Sequence, residues 1–128
     1  MKHSIIGGRF TLADGTPLPL SKAVRAGDFV FLSGQLGLDE QGKLADGIEA
    51  QTRHCLRNIE LLLAAAGVGS DSVCKATVWL TELADFPAFN RIYGAAFADA
   101  PPARSTVVSS LVLTGAKVEI EVVAYAPA

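Results

Sequence analysis

Residues 22–35 read KAVRAGDFVFLSGQ, two strands folded about the turn Ala26-Gly27-Asp28. Glycine supplies the turn, and Phe29, Val30, Phe31 and Leu32 are good strand formers. The second strand stops at Ser33-Gly34. Such a stop is either an ordinary strand end or a place where backbone amides and a hydroxyl are offered to an anion. It is no nucleophile elbow, because the glycine-x-serine-x-glycine spacing is missing.

Working outward from this hairpin, the clearest helix follows. Asp46 and Glu49 have capping-box spacing, with Asp in place of the usual Ser or Thr, and Gly67 stops the helix. Ile48, Cys55, Ile59, Leu62 and Ala66 share one face, which Leu56 and Leu63 broaden, and Arg53, Arg57 and Glu60 form a solvated remainder. Residues 73–80, VCKATVWL, alternate as a strand with Val73, Ala76, Val78 and Leu80 on one side. Asp85 is placed to cap a second helix that carries Phe86, Phe89, Tyr93 and Phe97 on one face and ends at Pro101-Pro102. Strands over 104–111 and 117–126 close the chain around Thr114-Gly115. Strands, helix, strand, helix, two strands fit one mixed sheet with both helices on one face. The sheet's other face is apolar at several positions of the last two strands and needs a cover, for which a second copy of the chain is the simplest candidate.

Composition agrees with that expectation. The 128 residues form one domain, 50% of them hydrophobic without counting glycine, and 19% charged. A typical soluble domain reaches about 45–50% apolar with glycine included and roughly 25% charged. The excess points to surface hidden against another subunit. Net charge is −2 and the eleven basic residues are scattered, Lys22 with Arg25 being the nearest approach to a cluster. A nucleic-acid role is therefore disfavoured. No apolar run approaches the roughly 20 residues of a membrane span. The N-terminal MKHSIIGGRF has too short an apolar core for a secretion signal, and Cys55 and Cys74 lack metal-ligand spacing, reading as small core residues. The expectation is a cytoplasmic protein with no membrane partner.

Three places could carry chemistry. Arg104, in PPARSTV (101–107), follows two prolines that restrict its backbone and precedes an uncharged run, so it has no sequence-adjacent acid. It is either half of an ion pair or a planar fork for a carboxylate, which lysine serves less well. Glu119 and Glu121, in KVEIEVVAYA, point to one side of an otherwise apolar strand. They mark either a wet edge or a part-desolvated glutamate able to handle a proton or a water. Ser33-Gly34 is the third. His3 and His54 have no triad or metal neighbour, and no Walker loop, Rossmann fingerprint or metal motif is present.

Taken together, LPLSKAVRAGDFVFLSGQ, IEAQTRHCLRNIELLLAAAG, VCKATVWLTELADFPAFN, PPARSTV and VEIEVVAYA resemble the Rid family of reactive-intermediate deaminases, also known as YjgF or L-PSP proteins. The resemblance runs from about residue 18 to 126 of what is expected to be a single Rid-type domain over 1–128. It implies an α+β, chorismate-mutase-like fold: one mixed six-stranded sheet with two helices packed on one face, assembled as a homotrimer with ligand sites in the clefts between subunits. It further implies hydrolysis of small anionic 2-imino or 2-enamino acids, such as 2-aminoacrylate, to the 2-keto acid and ammonia, with no cofactor and no metal.

Carried over by position, the family's carboxylate-binding arginine falls on Arg104 and its water-handling glutamate on Glu119. The strand-end pair falls on Ser33 and Gly34, and the asparagine after the aspartate-phenylalanine motif on Asn90. Two positions depart from the pattern. Leu20 stands where the best-known deaminases have a tyrosine, and Thr106 where they have a cysteine. Leu20 removes a phenol from the pocket lining and keeps a non-catalytic metabolite-binding role in play. An endoribonuclease or translation-inhibitor role is a third alternative, against which the acidic pI of about 5.6 speaks. Arg104 and Glu119 begin strands expected to be antiparallel, so within one chain they would lie at opposite ends of the sheet.

Overall fold

The computed structural model describes residues 3–12 and 14–127. The chain runs β1 (Ser4–Thr11), β2 (Pro17–Ala26), β3 (Phe29–Leu32), β4 (Gln35–Leu36), α1 (Gly47–Ala65), β5 (Val73–Leu80), α2 (Phe86–Ala96), β6 (Ala103–Val108) and β7 (Val118–Tyr125). Six strands form one path in the order β1-β2-β3-β7-β5-β6, and the two-residue β4 pairs with β7 beside it, giving seven in all. Every pairing is antiparallel except β5 with β6, so the sheet is mixed as expected.

The 22–35 reading holds at its turn: β2 and β3 pair antiparallel around Gly27, whose φ of 60° suits glycine. Gly67, with φ of 82°, likewise closes α1, whose last carbonyls accept from the Ala66, Gly67 and Val68 amides. The two expected caps differ. Neither Asp46 nor Asp85 makes a side-chain cap hydrogen bond. Glu49 turns instead to Arg91 on α2, at 3.1 Å, and Asp85 accepts from Lys117 Nζ at 3.0 Å. Tertiary partners won over local capping because both acids stand where another element brings a cation within reach.

The strand bounds move as well. The last two strands are Ala103–Val108 and Val118–Tyr125, because β6 pairs with β5 only as far as Val108 opposite Leu80. β1 lies upstream of every strand read from the sequence and covers the outer edge of β2.

Alternation sorts the sheet. Val118, Ile120, Val122 and Ala124 of β7 are buried together with Val73, Ala76, Val78 and Leu80 of β5, under the apolar sides of α1 and α2. Among the described residues, Gln51 and Thr52 are the buried polar residues of this core. Gln51 donates to the Ala45 and Gly115 carbonyls and accepts from the Lys117 amide, tying α1 to the start of β7. Cys55 is a core residue, but Cys74 is exposed, contrary to its core assignment, because it falls at a register shift where β5 meets β7.

Among the described residues, no layer covers the opposite face of the sheet. Phe29, Phe31, Val107 and Tyr125 are large apolar residues exposed on that side. No helix among the described residues is long and apolar enough to cross a membrane.

Candidate functional site

Arg104 sits in β6 directly opposite Ala76 of β5. Ala76 is fully buried beneath the helices, so Arg104 belongs to the helix face. There its guanidinium carbon lies 4.8 Å from the Tyr93 ring centroid, 5.6 Å from that of Phe89 and 5.7 Å from that of Phe86. These rings come from one side of α2, as the spacing Phe86, Phe89, Tyr93, Phe97 predicts. Among the described residues all ion pairs involve other groups, and Arg104 makes no side-chain hydrogen bond. The three rings lie within cation–π range of the guanidinium, and its N–H donors, unpartnered among the described residues, are left for a carboxylate.

Thr106 pairs with Val78 and lies on the same face, half-buried, two residues along from Arg104. Asn90 is exposed on α2, four residues after Phe86 and three before Tyr93, which puts it on the flank of the ring bed. Arg104, Thr106 and Asn90 thus form one group.

Glu119 belongs to a second group. It pairs with Trp79 and with Leu36 of β4, and alternation puts it, with Glu121, on the uncovered face. Its neighbour is Gly34. A Cβ at position 34 would press on the Glu119 carboxylate, 2.9 Å from Cδ and 3.2 Å from Cγ. The glycine is therefore the space the carboxylate occupies. Burial pushes the Glu119 pKa above the ordinary carboxylate value, and the Glu121 charge pushes it further the same way. The Cys55 thiol nearby is pushed up too, chiefly by burial, with the Glu119 charge adding; it donates to the Gln35 carbonyl and serves the core.

Ser33 corrects part of the sequence reading. Its amide donates to the Lys22 carbonyl at 2.9 Å and its hydroxyl to the Ser21 carbonyl at 2.6 Å. The donors expected to be free for an anion hold the strand end to β2 instead, and the hydroxyl oxygen keeps only acceptor capacity. Leu20, 40% exposed, precedes Ser21 and presents an apolar side chain beside this end. Ser21, Phe31, Ser33, Glu121 and Val123 line an open depression of about 370 Å³ on the same face.

The two groups do not meet within one chain. β6 and β7 run antiparallel with β5 between them; Arg104 aligns through Ala76 with Val122, three residues from Glu119. Two strand spacings and three residues separate the backbones by about 10 Å across and about 10 Å along, with the side chains on opposite faces. The strands are antiparallel as expected, but an offset of three residues is less than the opposite ends of the sheet that the sequence suggests, because Arg104 pairs midway along β5. The separation by face was not legible beforehand, because it depends on the β5–β6 register. Sequence reasoning also missed Tyr93 as part of the arginine's bed and Gly34 as the seat of Glu119. The ring spacing on α2 was a usable signal for the first; no local signal marks the second.

Comparison with known proteins agrees with this architecture. Residues 15–126 match the family model described as Endoribonuclease L-PSP. A RutC family protein of Pyrococcus horikoshii is 39% identical over 84% of this chain and 86% of its own length. Reactive Intermediate Deaminase A, chloroplastic, of Arabidopsis thaliana is 44% identical over 83% of this chain, which spans 58% of that protein. Among solved structures, RidA from the Antarctic bacterium Psychrobacter superposes with a TM-score of 0.81 at 38% identity, covering 84% of this chain and 89% of the other. The chain belongs to the Rid (RidA/YjgF, endoribonuclease L-PSP) family.

Proposed function

We propose that the protein is a cofactor-independent deaminase of the 2-iminobutanoate/2-iminopropanoate type, hydrolysing reactive 2-imino and 2-enamino acids to the 2-keto acid and ammonia. The observation that carries this reading is Arg104: a guanidinium set on three aromatic rings, with no acid paired to it among the described residues. Its free edge takes the substrate carboxylate bidentately, with Thr106 and Asn90 beside it. Glu119 holds a water against the imine carbon and passes protons to the departing ammonia; its raised pKa suits that exchange. Imines already hydrolyse in water, so positioned acid–base help of about 10²–10⁴-fold, roughly 3–5.5 kcal/mol of barrier, is sufficient.

One substrate cannot touch both groups of a single chain, so the site is shared. A cyclic homotrimer brings the Arg104 group of one copy to the Gly34–Glu119 group of the next, and the apolar uncovered face supplies the contact surface. In this reading the small acid is the ligand, nucleic acid and membrane are not partners, and the protein acts in the cytoplasm, where Cys74 stays a thiol.

The test is release of keto acid from 2-aminoacrylate generated in situ, comparing the natural protein with Arg104→Ala. Loss of the fork is expected to lower kcat/KM by about 10²–10³-fold, the worth of a charge-assisted bidentate pair. Removing its exposed contact with the rings costs only about 0.5–1 kcal/mol of stability, so the fold survives. Full activity in a folded Arg104→Ala protein ends the proposal.

A further inference from the structure

The bed beneath Arg104 contains one atom that packing does not explain. Tyr93 is 5% exposed, and its hydroxyl is buried without a hydrogen-bond partner. Its ring packs at a tilt against both Phe89 and Phe97, with centroids 5.4 Å and 4.7 Å away. Phenylalanine at this position would pack in the same way and strand no hydroxyl, and a buried hydroxyl without a partner is unfavourable relative to one in water. Tyr93 is also the ring nearest the guanidinium, at 4.8 Å against 5.6 Å and 5.7 Å for the two phenylalanines. An unpartnered hydroxyl and a set of unused donors therefore belong to two side chains in contact, ring to guanidinium.

We propose that Tyr93 is a positioning residue for Arg104: when a carboxylate engages the fork, the phenol oxygen accepts one of the N–H groups left over and fixes the roll of the guanidinium. The inference rests on the carboxylate-clamp reading of Arg104. A bidentate anion occupies two of the five guanidinium N–H groups. Drawing the fork into the plane of the anion tilts it off the rings and turns an inner N–H toward the phenol. Two groups that are unsatisfied in the free protein then satisfy each other in the bound one. Burial pushes the phenol pKa up while the Arg104 charge opposes that rise. The hydroxyl touches neither the reacting carbon nor the water, so it acts on binding and not on the chemical step.

The experiment compares natural protein with Tyr93→Phe, reading the Kd for 2-oxobutanoate by calorimetry, steady-state kinetics on 2-aminoacrylate, thermal stability and oligomer mass. The expected result is a rise of about 10–100-fold in both Kd and KM, the worth of one hydrogen bond to a charged group, with kcat within about twofold. The Tm is expected to stay level or rise, since the orphan hydroxyl is gone. Unchanged Kd and KM overturn the inference. So does a rise in Kd that comes only together with a fall in Tm or loss of the oligomer, which would assign the hydroxyl to a structural contact. If the natural protein itself fails to bind 2-oxobutanoate, the clamp reading of Arg104 fails; if it binds and Tyr93→Phe binds equally well, only the role of Tyr93 fails.

Discussion

Replacing Gly34 with alanine is the most informative single perturbation available. Gly34 does not have a positive φ, so alanine is allowed by the backbone and any effect comes from the methyl group. That methyl would lie 2.9 Å from Glu119 Cδ, where ordinary contact begins at 3.4 Å. Cδ must retreat by at least 3.4 − 2.9 = 0.5 Å, and the carboxylate oxygen, which is nearer still, by on the order of 1 Å. The obstructing atoms are the far end of a flexible side chain, so Glu119 swings away and the fold yields little, about 1 kcal/mol. The site does not share that tolerance, because a reacting group misplaced by about 1 Å can cost about 10²-fold in rate. Gly34→Ala is expected to lower kcat for keto-acid release from 2-aminoacrylate by about 10–100-fold with a Tm within about 5 °C of the natural protein. Affinity for 2-oxobutanoate, governed by Arg104 in the other group, should change far less. A Gly34→Ala protein with undiminished turnover would show that the seat of Glu119 is irrelevant to the chemistry, and the assignment of that residue would fall.

Gly37 supplies the structural counterpart: its Cβ would meet Gln51 at 2.6 Å from Cα and 2.7 Å from the carbonyl oxygen, backbone atoms that cannot swing aside. Gly37→Ala is expected to cost about 3 kcal/mol, read as a Tm lower by about 10 °C, and an unchanged melting curve would contradict that close approach. Glu121 raises the Glu119 pKa by like charge, so Glu121→Gln should move the acid limb of the kcat/KM profile to lower pH; an unmoved limb would separate Glu119 from that titration. Because the folded pKa of Glu119 is raised, the stability linked to it is complete below its ordinary value of 4.5 and declines as pH rises through the folded value. Glu119→Gln carries no such penalty, and chemical denaturation should find it more stable than the natural protein near pH 8, with the difference closing toward about pH 4.

What was legible in the sequence was local. Gly27 and Gly67 announced a turn and a helix end, the period of α1 and the alternation of residues 73–80 gave their buried sides, and four aromatics at helical spacing gave the inner face of α2. What stayed hidden depends on pairings between distant segments. Asp46 and Asp85 have the spacing of caps, but the partners that decide their roles, Arg91 by way of Glu49 and Lys117, come from other elements. Ser33 looked free because its acceptors, the Ser21 and Lys22 carbonyls, lie across a hairpin. Arg104 and Glu119 were found by type and context, yet their faces follow from the parallel register of β5 with β6, which no short stretch encodes.

The shared site is tested most directly by mixing Arg104→Ala and Glu119→Gln chains, co-refolded in equal amounts, and measuring keto-acid release from 2-aminoacrylate. Each variant alone is expected to be nearly inactive. If adjacent copies contribute one group each, a working cleft needs the arginine from a Glu119→Gln chain and the glutamate from an Arg104→Ala chain. With random assembly that is ½ × ½, about a quarter of the clefts whatever the size of the ring. Activity near a quarter of the natural protein's is the predicted result. Mixed assemblies as inactive as their parents would place both groups at one chain's own site and contradict the account.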